Sequence, residues 1–115
     1  SPHKQTKQCD TDTSNVSILH LQAALRKKKH IENPIIRLVE SGQACHKFNK
    51  NFLVKFRDMG FFLRESVCEV TCGELVAEGR ERTKKEARMK AAENLILQAE
   101  SFEGVTGFKG SSSLV

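Results

Sequence analysis

At 115 residues with 38% hydrophobic composition, the chain has material for one domain with a modest core. Trp and Tyr are absent, so that core must be built from Phe, Leu, Ile, Val and Ala. A net charge of +5 suits an acidic partner, nucleic acid or an anionic membrane surface, and no apolar run approaches the length of a membrane span.

The four cysteines, Cys9, Cys45, Cys68 and Cys72, are too few and too unevenly spaced for the disulfide framework of a small secreted domain. Cys68 and Cys72 fall on one expected strand, where four residues span roughly 13 Å. That separation forbids a disulfide between them and is awkward for a shared zinc. Buried, inert thiols are expected, and with them an intracellular, reducing compartment, nuclear ahead of cytoplasmic. No secretory apolar region opens the chain, and its first residue is Ser1, which leads us to expect a segment of a longer protein.

Ser1 to Asn15 mixes charges without apolar period and reads as a disordered lead. Val16 to His30 places Val16, Leu19, Leu21, Ala24 and Leu25 at amphipathic spacing, with Ser14 or Asn15 able to cap the start. It ends in Arg26-Lys27-Lys28-Lys29-His30, cations that suit a helix C-terminus, so residues 16–32 are expected as an additional basic helix. The lysine run reads as a solvated helix end, ahead of an auxiliary RNA contact and a nuclear-import signal. Asn33-Pro34 then punctuates the chain.

From Pro34 the pattern is helix, three strands, helix, expected as one domain over residues 33–100. Ile35, Leu38, Val39 and Gly42 recur at helical spacing and predict a helix from Pro34 to about Lys47. Phe52, Val54 and Phe56 alternate with Leu53, Lys55 and Arg57, which predicts a strand over Asn51 to Arg57. Asp58-Met59-Gly60 reads as a turn, Ser66 to Cys72 as a second strand, Gly73 as a turn, and Glu74 to Glu78 as a third strand ended by Gly79. Thr83 can cap a helix from Lys84 to about Gln98, whose Ala87, Ala91 and Leu95 form a stripe narrow enough to sit close to a sheet. Residues 101–115, with their Ser111-Ser112-Ser113 run, read as a flexible tail. The order implies an α+β fold, α-β-β-β-α, with a three-stranded antiparallel sheet packed on two helices and one extra N-terminal helix.

Six cations crowd the stretch from Arg80 to Lys90: Arg80, Arg82, Lys84, Lys85, Arg88 and Lys90. Basic clusters are commonly no more than a solvated face, but the placement here argues against that reading. Lys84 and Lys85 occupy the first turn of a helix, where the macrodipole penalises cations by roughly 0.3–1 kcal/mol each. The same turn offers free backbone N–H groups, so lysines there concentrate a phosphate site at some cost in stability. Lys84 and Arg88 are one turn apart and share a face, with Lys85 beside them.

The run Gly79-Arg80-Glu81-Arg82-Thr83-Lys84-Lys85-Glu86-Ala87-Arg88-Met89-Lys90-Ala91-Ala92-Glu93-Asn94-Leu95 resembles the C-terminal signature of the double-stranded RNA-binding domain family. That signature is a Gly after the third strand, Ser or Thr, two lysines, an Ala, a cation and later paired alanines. The resemblance covers Asn33 to about Gln98. Of two registers for the N-terminal half, one makes Val16–Lys29 the family's first helix, with Gly42 and His46 in the strand loop, and needs a long insertion before Cys68. The other makes Pro34–Lys47 the first helix and needs almost none; we adopt it.

The resemblance implies contacts with two successive minor grooves and the intervening major-groove phosphates, read by shape and 2′-hydroxyls. It implies Lys84, Lys85 and Arg88 on the phosphates, Glu40 and Arg37 at one minor groove, and Arg64 at the other. Val39 departs from a commonly polar position. The loop departs further, because Gly60-Phe61-Phe62-Leu63-Arg64-Glu65 lacks the family's Pro and His. Phe61 and Phe62 are expected in the core or against the extra helix ahead of a protein contact. No catalytic set, Gly-rich phosphate loop or metal cluster is legible, and His3, His20, His30 and His46 are scattered. The expected function is therefore non-catalytic and cofactor-free binding of double-stranded RNA, with a protein-interaction module of the same fold, working through Phe61, Phe62 or the N-terminal helix, as the alternative. RNA processing could belong only to a parent protein.

Overall fold

Residues 18–102 are described by a computed structural model of the chain. The expected lead, Val16 and its cap candidates, Cys9, His3 and residues 103–115 lie outside the described residues. The elements are α1 (residues 18–27), α2 (Pro34–His46), β1 (Val54–Phe62), β2 (Glu65–Cys72), β3 (Leu75–Glu81) and α3 (Lys84–Ser101). The sheet is antiparallel throughout, in the order β1-β2-β3, and carries helices packed on one face. This is the expected α+β architecture with its additional N-terminal helix.

The additional helix shares the core of the rest. Ile18, Leu21 and Leu25, one helical face, are buried together with Leu38 of α2, Val70 of β2 and Leu95 of α3. Ile18 takes the inward place expected of Leu19, which is 41% exposed. Two apolar neighbours at the start of a helix leave the phase of its stripe open by one residue, and packing decides it. Burying Leu21 and Leu25 completely contributes about 1.5–3 kcal/mol each. Polar bonds fix the orientation: Gln22, itself buried, donates from Nε2 to the carbonyl of Ala99 at 2.6 Å and to that of Phe102. These are carbonyls at the end of α3; that of Ala99 also accepts the N–H of Phe102 at 3.2 Å, which caps the helix. The helix therefore runs past Gln98 to Ser101, and Phe102, expected in the tail, packs half-buried on the core.

Asn33 caps α2, its Oδ1 accepting from the backbone N–H groups of Ile35 and Ile36, and Pro34 fills the first helical position where no donor is needed. The buried face is Leu38, Ser41, Gly42 and Cys45.

The expected turn at Asp58-Met59-Gly60 is instead a bulge inside β1. Asp58 pairs with Cys68 and Gly60 with Val67, so Met59 is the extra residue. Gly60 lies at φ +109°, and its N–H donates to Asp58 Oδ1 at 3.2 Å. Residues that suit a turn also suit a bulge, because both need a local side-chain bond and a positive φ. The strand continues to Phe62, and the reversal falls on Leu63 and Arg64, at φ +52° and +68°. A two-residue reversal of this kind favours Asn-Gly; holding two ordinary residues there costs on the order of 1 kcal/mol or more each. Phe61 and Phe62 are accordingly neither in the core nor on α1: they stand at the hairpin end, 68% and 57% exposed.

Gly79 does not end β3. The strand passes through it to Glu81, and a Cβ at this position would lie 2.3 Å from both the Ala87 carbonyl oxygen and the Ala91 nitrogen of α3. Glycine is there because helix and strand backbones touch. Along the outer edge of β3, Asn94 Nδ2 donates to the Glu78 carbonyl at 2.7 Å and Gln98 Nε2 to that of Val76 at 3.0 Å. Those bonds satisfy carbonyls that an edge strand would otherwise offer to another chain.

Cys45, Cys68 and Cys72 are free and buried. Burial pushes the Cys45 thiol up to about 11 and the Cys72 thiol up to about 12, so both stay protonated at neutral pH. Iodoacetamide should alkylate Cys45 and Cys72 only after denaturation; fast labelling of the native protein, read by peptide mass, would remove them from the core. Gly79→Ala forces overpacking against backbone and should lower the unfolding free energy by about 2–3 kcal/mol. A urea midpoint unchanged from wild type would contradict the close approach.

Candidate nucleic-acid interface

Thr83 caps α3: its Oγ1 accepts from the Glu86 N–H at 3.1 Å, and its hydroxyl donates to Glu86 Oε1 at 3.2 Å. The Thr-x-x-Glu spacing of a capping box is legible in the sequence, yet the cations of the same turn draw attention away from it. Glu86 is the acid that the macrodipole favours in this turn, and it offsets part of the penalty of Lys84 and Lys85.

All three expected phosphate ligands are exposed at the start of α3. Lys84 reaches back over the sheet, with Nζ 3.3 Å from Asp58 Oδ2 in the bulge of β1. The guanidinium of Arg88 lies 5.9 Å from the centroid of the Phe56 ring and beside Cys68, so its head rests on the sheet although the residue is exposed. Lys85 makes no ion pair among the described residues. Of the surrounding cations, Arg80 pairs with Glu78 at 3.5 Å and Lys90 with Glu93 at 3.7 Å. Arg82 is exposed and unpaired among the described residues.

Asp58 is the member of this site that sequence reasoning misses, because it reads as a turn residue far from α3. The Gly60 N–H bond holds its carboxyl below the ordinary carboxylate value, helped by the bond from Lys84 and the charge of Arg88. Because the folded value is the lower one, Asp58 is ionised at neutral pH. The contribution of its contacts is lost only as pH falls from the ordinary carboxylate value through the depressed one. Asp58 thus occupies one side of the Lys84 ammonium, which has three donors.

The other expected contacts are dispersed. Arg37 is only 16% exposed and donates from Nε and Nη2 to the Leu25 carbonyl at 3.2 and 2.9 Å. It also meets Glu100 Oε2 at 3.3 Å. The side chain is a strut joining α1, α2 and the end of α3, with its donors turned inward rather than toward a groove. Glu40 is exposed but sits 3.6 Å from Lys28, which brings the lysine run after α1 beside α2. Arg64 is exposed at the tip of the β1–β2 hairpin, and the three ladder steps from the Asp58–Cys68 pair to the Phe62–Glu65 pair put that tip roughly 10 Å beyond the Lys84 contact. The first turn of α3, the β1 bulge and the hairpin thus form one group, and Glu40 with Lys28 a second.

His20 packs its ring against Phe48, with centroids 5.4 Å apart. Among the described residues no group of three or more His, Cys, Asp or Glu is placed to hold a metal ion, and no helix is long and apolar enough to cross a membrane. No protein-family model matches the chain, and no curated protein matches it significantly.

Asp58→Asn frees Lys84 and should elute from heparin at higher salt than Glu32→Gln, which alters net charge equally at an exposed carboxylate without an ion pair among the described residues. Equal shifts would show that Asp58 does not restrain the site.

Proposed function

We propose that this chain is a non-catalytic module that binds double-stranded RNA by shape, a divergent relative of the double-stranded RNA-binding domain family. The observation that carries the reading is the exposed triad Lys84, Lys85 and Arg88, grouped at the start of a helix whose backbone lies directly against that of β3. Backbone N–H groups at a helix start and three cations spread over one turn fit a pair of phosphate strands facing each other across a groove. The hairpin tip stands on the same side and reaches toward the next groove, while Glu40 and Lys28 stand on α2 and after α1 for the groove before. Arg37 contributes by fixing α1 against α2, not by touching RNA.

Three neutralised phosphates give an expected slope of log K against log salt of about −2 to −3, extrapolated from the duplex-DNA rule. The test is a titration of wild type and Lys84→Ala/Lys85→Ala with an RNA duplex of about 20 base pairs and its DNA counterpart, at two salt concentrations. Preference for RNA, with most affinity and much of the salt slope lost in the double variant, is the expected outcome. Affinity unchanged in the variant, or equal for DNA and RNA, overturns the reading.

Exposure of Phe61, Phe62 and Leu63 favours a second reading, a protein-interaction module that keeps the fold without RNA binding. The apolar face of α1 is not available to such a partner, since Ile18, Leu21 and Leu25 are buried.

A further inference from the structure

We propose that the β1–β2 hairpin tip is a nucleobase-stacking wedge, and that the preferred ligand is a duplex RNA interrupted by an unpaired base; this rests on the RNA reading above. Phe61, Phe62 and Leu63 are 68%, 57% and 75% exposed, a concentration of apolar surface at the outermost point of the sheet. Phe61 pairs with Ser66 and Phe62 with Glu65, so the two rings leave opposite faces of the ribbon, and Leu63 is its apex. The tip is stiff rather than loose, because strand pairing continues to the Phe62–Glu65 pair.

Its sequence also departs from what stability alone selects. Leu63 and Arg64 both sit in the left-handed region, where Asn and Gly would relieve strain and cover no apolar surface. An outlier maintained at an exposed point asks for a ligand.

The ligand class follows from the neighbours. Phe61 and Leu63 line one concavity with Arg64, Arg82 and Glu65. The Arg80 guanidinium lies 6.0 Å from the Phe62 ring centroid. An aromatic face beside Arg64 and Arg82, which make no ion pair among the described residues, takes a base on the ring and its phosphate on the guanidinium groups, and Glu65 can accept from an exocyclic amine. A purely apolar protein partner would leave those arginines desolvated without an acceptor. An uninterrupted A-form duplex can meet Arg64 at its minor groove but gives Phe61 and Leu63 nothing to stack on, because its base faces are already stacked. A bulge or internal loop supplies the missing face, at one groove's distance from the phosphates held by α3.

The experiment compares a fully paired duplex with a set of duplexes carrying a single bulged 2-aminopurine moved stepwise along the strand. Wild type, Phe61→Ala and Leu63→Asn are titrated; Asn suits the left-handed turn, so the second variant removes the apex without straining the fold. At the best bulge position, wild type should bind about tenfold more tightly than to the paired duplex and change the 2-aminopurine emission. Both variants should lose that gain while keeping wild-type affinity for the paired duplex. Equal binding of paired and bulged RNA, or an equal loss on both in the variants, overturns the wedge and leaves the RNA reading intact. Absence of duplex binding by wild type removes both together. If Phe61→Ala alters only concentration-dependent self-association in sedimentation, the tip is a contact between copies and the wedge is wrong.

Discussion

The contact of α3 with β3 sets the geometry on which the remaining elements depend. At Gly79 the strand has no side chain, and at Ala87 and Ala91 the helix has almost none, so backbone meets backbone. Dispersion and area burial reward such an approach only when nothing intrudes, and the distances leave no room for one added carbon. Further along α3 the side chains grow, and Leu95 and Ile96 fill the space where α2 and α1 close over the sheet. The first turn of the helix lies beside the sheet, with Lys84 within an ion pair of β1.

The close contact bears directly on the proposed binding. Cations on a flexible segment lose conformational entropy when they bind, whereas Lys84, Lys85 and Arg88 start from a helix turn already fixed by the Thr83–Glu86 cap and the Gly79 contact. The same logic explains α1. Gln22 and Arg37 tie it to the last carbonyls of α3 and to α2, so the end of α3 opposite the phosphate site is clamped as well. One residue cannot do both jobs: Arg37, spent on the Leu25 carbonyl and Glu100, is withdrawn from the groove that family resemblance assigns it.

What the sequence reveals and conceals divides along the range of the interactions. Period and capping are local, and they place α2, the three strands and α3 with the right order and partners. Asn33 before Pro34 and Thr83 before Lys84 are legible for the same reason. The bulge is misread as a turn because Asp58 and Gly60 meet the local requirements of both, and only pairing with β2 distinguishes them. Gly79 likewise reads as punctuation when its cause is a helix that follows it. Gln22 is beyond sequence reading altogether, since its partners lie some eighty positions away at the end of α3. Phe61 and Phe62 mislead for a different reason: aromatic pairs are expected inside, and a stability argument has no place for rings held outward on a strained turn.

Asp58 shows how one residue can limit a site without disabling it. An exposed pair, screened by water, holds Lys84 weakly. It still orients the ammonium toward the sheet rather than leaving it to sweep freely from the helix start. A lone anion gains little by exchanging places with a carboxylate that is already ionised and close. In the proposed RNA complex a duplex gains more, because its phosphates reach Lys85 and Arg88 at the same time and release several counterions. In that complex the exchange favours polyanions with the right spacing over single ions. The bulge that positions Asp58 lies in the same strand that ends in Phe61 and Phe62, so β1 carries both the carboxylate facing α3 and the exposed tip.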